Sequence, residues 1–178
     1  YFTFVSPNSY YIKYDRNAGG PSSDFDWTYT FYQSYYNLPS NPSRPGYTFA
    51  GWYTSPTGGT RVTDKTIKTT TGNETLYAHW TINSYTLTIN PNDGKWNGSS
   101  SSQSFTQNYA TTKSIPNPTR EGYTFKSWSK SGSGSLSGTT FTFGAGNTTL
   151  TAQWTKNNYY VDVNNYLDGG ANDSVIPY

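Results

Sequence analysis

Apolar and polar residues alternate in three stretches of the chain at nearly one spacing. Tyr10, Ile12 and Tyr14 share one face, with Tyr11, Lys13 and Asp15 on the other. Tyr85, Leu87 and Ile89 oppose Thr86, Thr88 and Asn90, and Tyr159, Val161 and Val163 oppose Tyr160, Asp162 and Asn164. A period of two over six residues predicts a half-buried strand. Each stretch runs into a predicted tight turn, through Asn17-Ala18-Gly19-Gly20, Asn92-Asp93-Gly94 and Leu167-Asp168-Gly169-Gly170, where glycine is expected to supply the positive φ. Two further strands follow the same rule, with Leu76, Ala78 and Trp80 inside in one and Leu150, Ala152 and Trp154 inside in the other. That leaves Tyr77 and His79, or Thr151 and Gln153, outside. Between these landmarks, Trp27, Tyr29 and Phe31 alternate within an aromatic run from Phe25 to Tyr36, which reads as a strand. Its counterpart from Ser104 (SFTQNYA) is shorter and more polar, after a serine-rich loop from Ser99 to Ser104.

The landmarks recur as a set. GYTFAGW (Gly46 to Trp52) returns as GYTFKSW (Gly122 to Trp128) 76 positions on, and TLYAHWT from Thr75 returns as TLTAQWT after 74. SYYIKYD from Ser9 returns as SYTLTIN after 75. Such self-similarity is the mark of a repeat architecture. A prolyl lead-in, LPSNPSRPGY or IPNPTREGY, precedes each GYTF segment and forces extended backbone. Within GYTFAGW, Tyr47 and Phe49 have one parity and Trp52 the other. A bulge near Ala50-Gly51 reconciles them and turns Trp52, like Trp128, into the core.

In its order of opening strand, Gly-rich turn, N-P-[ST]-R-x-G-Y-T-F-x-x-W segment and closing T-L-x-A-x-W-T strand, the chain resembles the Listeria/Bacteroides repeat, also called the internalin B repeat. Ser127 in place of Gly51 and the Gly/Ser-rich segment Ser129 to Gly138 depart from the pattern. The resemblance implies a mainly β fold of small α+β, β-grasp-like modules, with any helix short and near Tyr32 to Leu38. It also implies a place in tandem arrays on large secreted or surface proteins of bacteria, and no shared active site. The resulting division is 1–8 as the end of a preceding unit, 9–82 and 83–156 as two repeat modules, and 157–178 as the start of a third unit. Pairing arms of a two-unit protein are the alternative reading of the two ends. Five residues separate each final Trp from the next opening Tyr. An equal, short connector predicts a semi-rigid rod.

Composition narrows the chemistry. With 18 Tyr, 9 Phe and 6 Trp against 12 Lys and Arg and 10 Asp and Glu, the core must be built from rings. The basic residues are scattered singly, which argues against a nucleic-acid partner or a polybasic membrane patch. No apolar run is long enough to span a bilayer. Cysteine is absent, so disulfides and thiolate metal sites are excluded. His79 is the only histidine and is matched by Gln153, so it reads as a solvated strand position and no nucleophile-base constellation can be assembled without it. Asp24 and Asp26 read as a surface pair. NPNDG (Asn90 to Gly94) and DGGAND (Asp168 to Asp173) echo calcium loops but lack the alternating carboxylates and bidentate Glu, so hairpin turns explain them. GSGSLSG (Gly132 to Gly138) lacks the Lys-Ser/Thr ending of a phosphate loop. No cofactor, metal or catalytic residue is expected.

Two functional classes remain. One is a non-catalytic extracellular stalk, spacer or adhesive segment whose partners are neighbouring repeats of the same chain. The other is a binding module for a host-surface glycan or protein, on a cell surface or on a bacteriophage fibre or virion. Tyr11, Tyr35, Tyr36, Tyr77 and Tyr160 are its candidate exposed rings. Edge strands could also pair to give oligomers.

Overall fold

The computed structural model describes residues 10–17, 25–30, 36, 38–68 and 72–160, and the side chains of all of these except Tyr10 and 25–30. The strands are β1 (Tyr10–Asp15), β2 (Phe25–Thr30), β3 (Tyr47–Tyr53), β4 (Arg61–Val62), β5 (Glu74–Ile82) and β6 (Ser84–Asn90). They continue as β7 (Gln103–Asn108), β8 (Thr112–Ser114), β9 (Tyr123–Gly132), β10 (Ser135–Ser137), β11 (Thr140–Thr142) and β12 (Thr148–Lys156). No described residue is helical, and the protein is mainly β. Most of the segment suggested for a short helix lies outside the described residues, as do Asp24, Tyr35 and the turn at 167–170.

The two copies build the same sheet. One has strand order β2-β1-β5-β3-β4 and the other β7-β6-β12-β9. In each, the opening and closing strands lie side by side and parallel at the centre, β1 with β5 and β6 with β12, while hairpin partners add on antiparallel. Burial explains the choice of centre: Ile12, Tyr14, Leu76 and Ala78 are fully buried in the first copy, and Leu87, Ile89, Leu150 and Ala152 in the second. Tyr36, Trp52 and Val62 complete one cluster, against which Leu38, Phe49 and Trp80 pack. The other adds Trp96, Ile115, Phe141 and Phe143. The two clusters share no residue.

The bulge falls where parity requires it. Pairing of β3 with β5 shifts between Phe49 and Gly51, and pairing of β9 with β12 shifts between Gln153 and Trp154, skipping Lys126. Trp52 is then buried at the centre, edge-on to Tyr14 at 5.0 Å and to Phe49 at 5.5 Å. Trp128 is only half-buried, because the second core is centred on Trp96, whose indole N–H donates to the Pro116 carbonyl at 2.8 Å. Burial pushes the Tyr14 phenol up, with the Glu74 carboxylate and Tyr36 adding to the shift.

The turns hold two corrections. Asn17, Asn92 and Asp93 take the positive φ after the opening strands, while Gly94 does not. Asn tolerates that conformation because its side chain bonds locally. Asn17 N–H donates to Asp15 Oδ1 and Asn92 N–H to Asn90 Oδ1, while the two Asn amides donate to the Ala78 and Ala152 carbonyls. Gly94 is needed for space instead, since a Cβ there would run into the Trp154 ring. At the lead-ins, Arg44-Pro45-Gly46-Tyr47 and Arg120-Glu121-Gly122-Tyr123 close with Tyr47 N–H to Arg44 O and Tyr123 N–H to Arg120 O. Gly46 and Gly122 have φ of 77° and 75°, the type II position that selects glycine.

Two more expectations give way. Ser104 lies in β7, so the serine loop is shorter than its composition implied. The Gly/Ser-rich segment is also structured: β10, β11 and β8 form a three-stranded sheet that brings Leu136 and Phe141 onto the core of the second copy. Serine spacing hides this, because a single leucine and a Phe five residues on are too few to set a period.

Candidate functional site

One end of the first sheet forms an open groove of about 390 Å³ lined by Asn17, Arg44, Tyr47, His79, Trp80 and the tip 56–58. Each wall follows from the fold. Trp80 ends the inward row of β5, and its indole N–H donates to the Arg16 carbonyl at 2.7 Å. The lead-in turn lays the Arg44 guanidinium on the Tyr47 ring at 3.7 Å and near the Trp80 ring at 5.9 Å. Such cation–π contacts hold an arginine in place while leaving its N–H donors available. Asn17 bridges to the tip by donating to the Pro56 carbonyl at 2.8 Å.

His79 is not a solvated strand position. Its ring stacks on Tyr53 at 3.8 Å and 8°, and Nε2 lies 2.9 Å from the Ser55 carbonyl. A carbonyl can only accept, so Nε2 is the donor in this bond. That bond and the stack give His79 a structural role in holding the hairpin that follows β3. Among the described residues, no group of three His, Cys, Asp or Glu could hold a metal ion, and no helix is long and apolar enough to cross a membrane.

The second copy lacks this groove's open cation. Arg120 stacks on Tyr123 at 3.9 Å as Arg44 does on Tyr47, but it also reaches the Asp93 carboxylate at 3.5 Å and the Asn92 carbonyl at 3.4 Å. Ala18 stands at the Asp93 position of the first copy. Among the described residues no carboxylate pairs with Arg44. Gln153 replaces His79 and Ser129 lies where Tyr53 does, so the stacked pair is missing as well. The groove therefore sets the Arg44 guanidinium beside an aromatic wall of Tyr47 and Trp80.

The tyrosines singled out by sequence do not converge on it. Tyr11 is at the margin of exposure at 37% and Tyr160 is 79% exposed, while Tyr77 is half-buried. Tyr36, expected outside, is 6% exposed: its ring belongs to the first core and its hydroxyl donates to the Glu74 carboxylate at 2.9 Å. Tyr159, expected inside, is 70% exposed and extends no described strand. Arg44 was the residue that sequence reasoning passed over, and the signal for it was the exchange of Asp93 for Ala18 beside a repeated Arg-x-Gly-Tyr.

Comparison with known proteins adds to this geometry. The profile of the Listeria-Bacteroides repeat domain matches residues 10–79 and again 85–153. Internalin H of Listeria monocytogenes is 42% identical over 121 residues, which are 67% of this chain and 21% of that protein. A provisionally named Gly-rich membrane protein of Evansella cellulosilytica is 32% identical over 122 residues, 68% of this chain and 13% of the relative. A second provisionally named membrane protein of that organism is 31% identical over 121 residues, covering 68% and 17%. The chain thus spans about a fifth or less of the curated relatives it matches. No solved structure matches it.

Proposed function

The chain belongs to the Listeria-Bacteroides repeat domain family, and from that premise we propose that it is a non-catalytic spacer segment of a larger bacterial surface protein. Its two repeats, 9–82 and 83–156, are each a small β-grasp-like module, a reading supported by the shared strand order with its parallel central pair. One observation carries the proposal: β5 ends at Ile82 and β6 begins at Ser84, so Asn83 is the whole connector. Asn83 N–H donates to the Gly46 carbonyl and its own carbonyl accepts from Tyr109 N–H, both at 2.9 Å, while Thr48 Oγ1 donates to Asn83 Oδ1 at 2.7 Å. A one-residue connector bonded on both sides leaves little freedom for the repeats to swing. An array of such units projects whatever it bears away from the surface. Small-angle scattering is expected to give an extended profile with one maximal dimension, and a compact or broad distance distribution contradicts the proposal.

A second reading rests on the Arg44 groove, which suits a carboxylate-bearing glycan and whose cation the other repeat neutralises with Asp93. A glycan array that includes uronic and sialic acids tests it. Signal lost in Arg44→Ala and kept in Arg120→Ala supports the reading, and signal indifferent to Arg44 removes it. The same result on host cells or on a virion fibre would identify the setting.

A further inference from the structure

The joint between the repeats has a second edition just after β12, left open by the described residues. At the first joint, Tyr109 follows β7 on a tight turn and its ring lies over Gly46, so closely that a Cβ at Gly46 would collide with it. The same ring meets Tyr47 edge-on at 5.9 Å. Asn83 is the hub, with its N–H on the Gly46 carbonyl, its Oδ1 bonded to Thr48, its amide 3.4 Å from the Tyr85 hydroxyl and its carbonyl on Tyr109 N–H. All but the last of these bonds recur after β12. Asn157 N–H donates to the Gly122 carbonyl at 2.9 Å, Thr124 Oγ1 donates to Asn157 Oδ1 at 2.7 Å, and the Asn157 amide lies 3.4 Å from the Tyr159 hydroxyl.

No described residue takes the place of the tyrosine. Among the described residues nothing lies within 4 Å of a Cβ at Gly122, and no amide reaches the Asn157 carbonyl. Glycine is required at 122 by its φ of 75° in any case, so the open space alone decides nothing. The repeated hydrogen-bond set does, because it pre-arranges an acceptor and a flat phenol for a group that this stretch does not supply.

We propose that Gly122, Tyr123 and Asn157 form a docking socket for the tyrosine-bearing turn of another repeat of this kind, the counterpart of Asn108 to Ala110. The inference rests on the stacked-repeat reading and assigns it a residue-level contact. Recognition is by one backbone hydrogen bond and one ring laid on a glycine, so a partner turn with a β-branched or charged residue in place of the tyrosine does not fit. The socket therefore selects repeats whose turn carries an aromatic ring.

The test compares the chain with a version in which a copy of residues 83–156 is inserted after Lys156, which preserves the sequence spacing of the joint. In the original chain, Gly122→Ala is expected to lower the melting temperature by about 4–8 °C, the effect of a strained left-handed alanine. Gly46→Ala, with the same strain plus the collision with Tyr109, is expected to lower it more. Equal shifts for the two would defeat the stacked-repeat reading itself. In the lengthened chain Gly122→Ala should become as damaging as Gly46→Ala, and the amide resonances of Gly122 and Tyr123 should move. A Gly122→Ala effect independent of length, unmoved resonances, or an inserted repeat that does not fold would each overturn the socket.

Discussion

Trp52 and Trp128 stand at equivalent positions of the two copies, and their burial differs enough to separate their effects. Trp52 is fully enclosed, so Trp52→Ala is expected to cost roughly 3–5 kcal/mol by urea denaturation, while Trp128→Ala, at a ring packed against the second core but partly exposed, should cost less. A loss of the first size threatens a unit this small, whose total stability is of the order of 5–15 kcal/mol. Tyr14 gives a pH dependence of known sign. Its phenol is held above the ordinary tyrosine range, so its contribution is complete below about pH 10 and is lost as pH rises through the folded value. Melting temperatures from pH 7 to 11 should fall at the alkaline end, and fall less in Tyr14→Phe. Alternation made Ile12, Tyr14, Leu76 and Leu150 legible as core. It could not reveal Tyr36, which lies outside any regular strand and is drawn inward by its hydroxyl bond to Glu74.

At the scale of elements, strands with a strict period were readable and short ones were not. β5, β6 and β12 bury the rows read from their alternation, Leu76 and Ala78, Leu87 and Ile89, and Leu150 and Ala152, and the bulge in β3 could be inferred from the parity of Phe49 and Trp52. The sheet of β8, β10 and β11 was not inferable, since each strand has three residues and its burial comes from packing across the core. Turn chemistry was half legible: the turns were placed, but Asn92 and Asp93 took the conformation assigned to glycine. Gly94 then tests close packing, because its Cβ would have to displace the Trp154 ring from the turn it bonds. Gly94→Ala is expected to cost about 1–3 kcal/mol with quenching or shift of Trp154 fluorescence.

For the whole molecule, the repeat period was plain in the sequence, whereas the joint was not. Five residues from Trp80 to Tyr85 look like a linker, yet strands fill all but Asn83, and Tyr109 completes the contact from a turn whose sequence is ordinary. The groove at Arg44 likewise depends on an exchange between copies, which spacing alone does not flag. Rigidity between repeats is the central claim, and the absence of cysteine makes it directly measurable. Spin labels at Asp64→Cys and Ser137→Cys, one in each repeat and both exposed, should give a single narrow distance distribution by electron–electron resonance, broadened by a Gly-Gly insertion after Asn83. A distribution already as broad without the insertion would contradict the account.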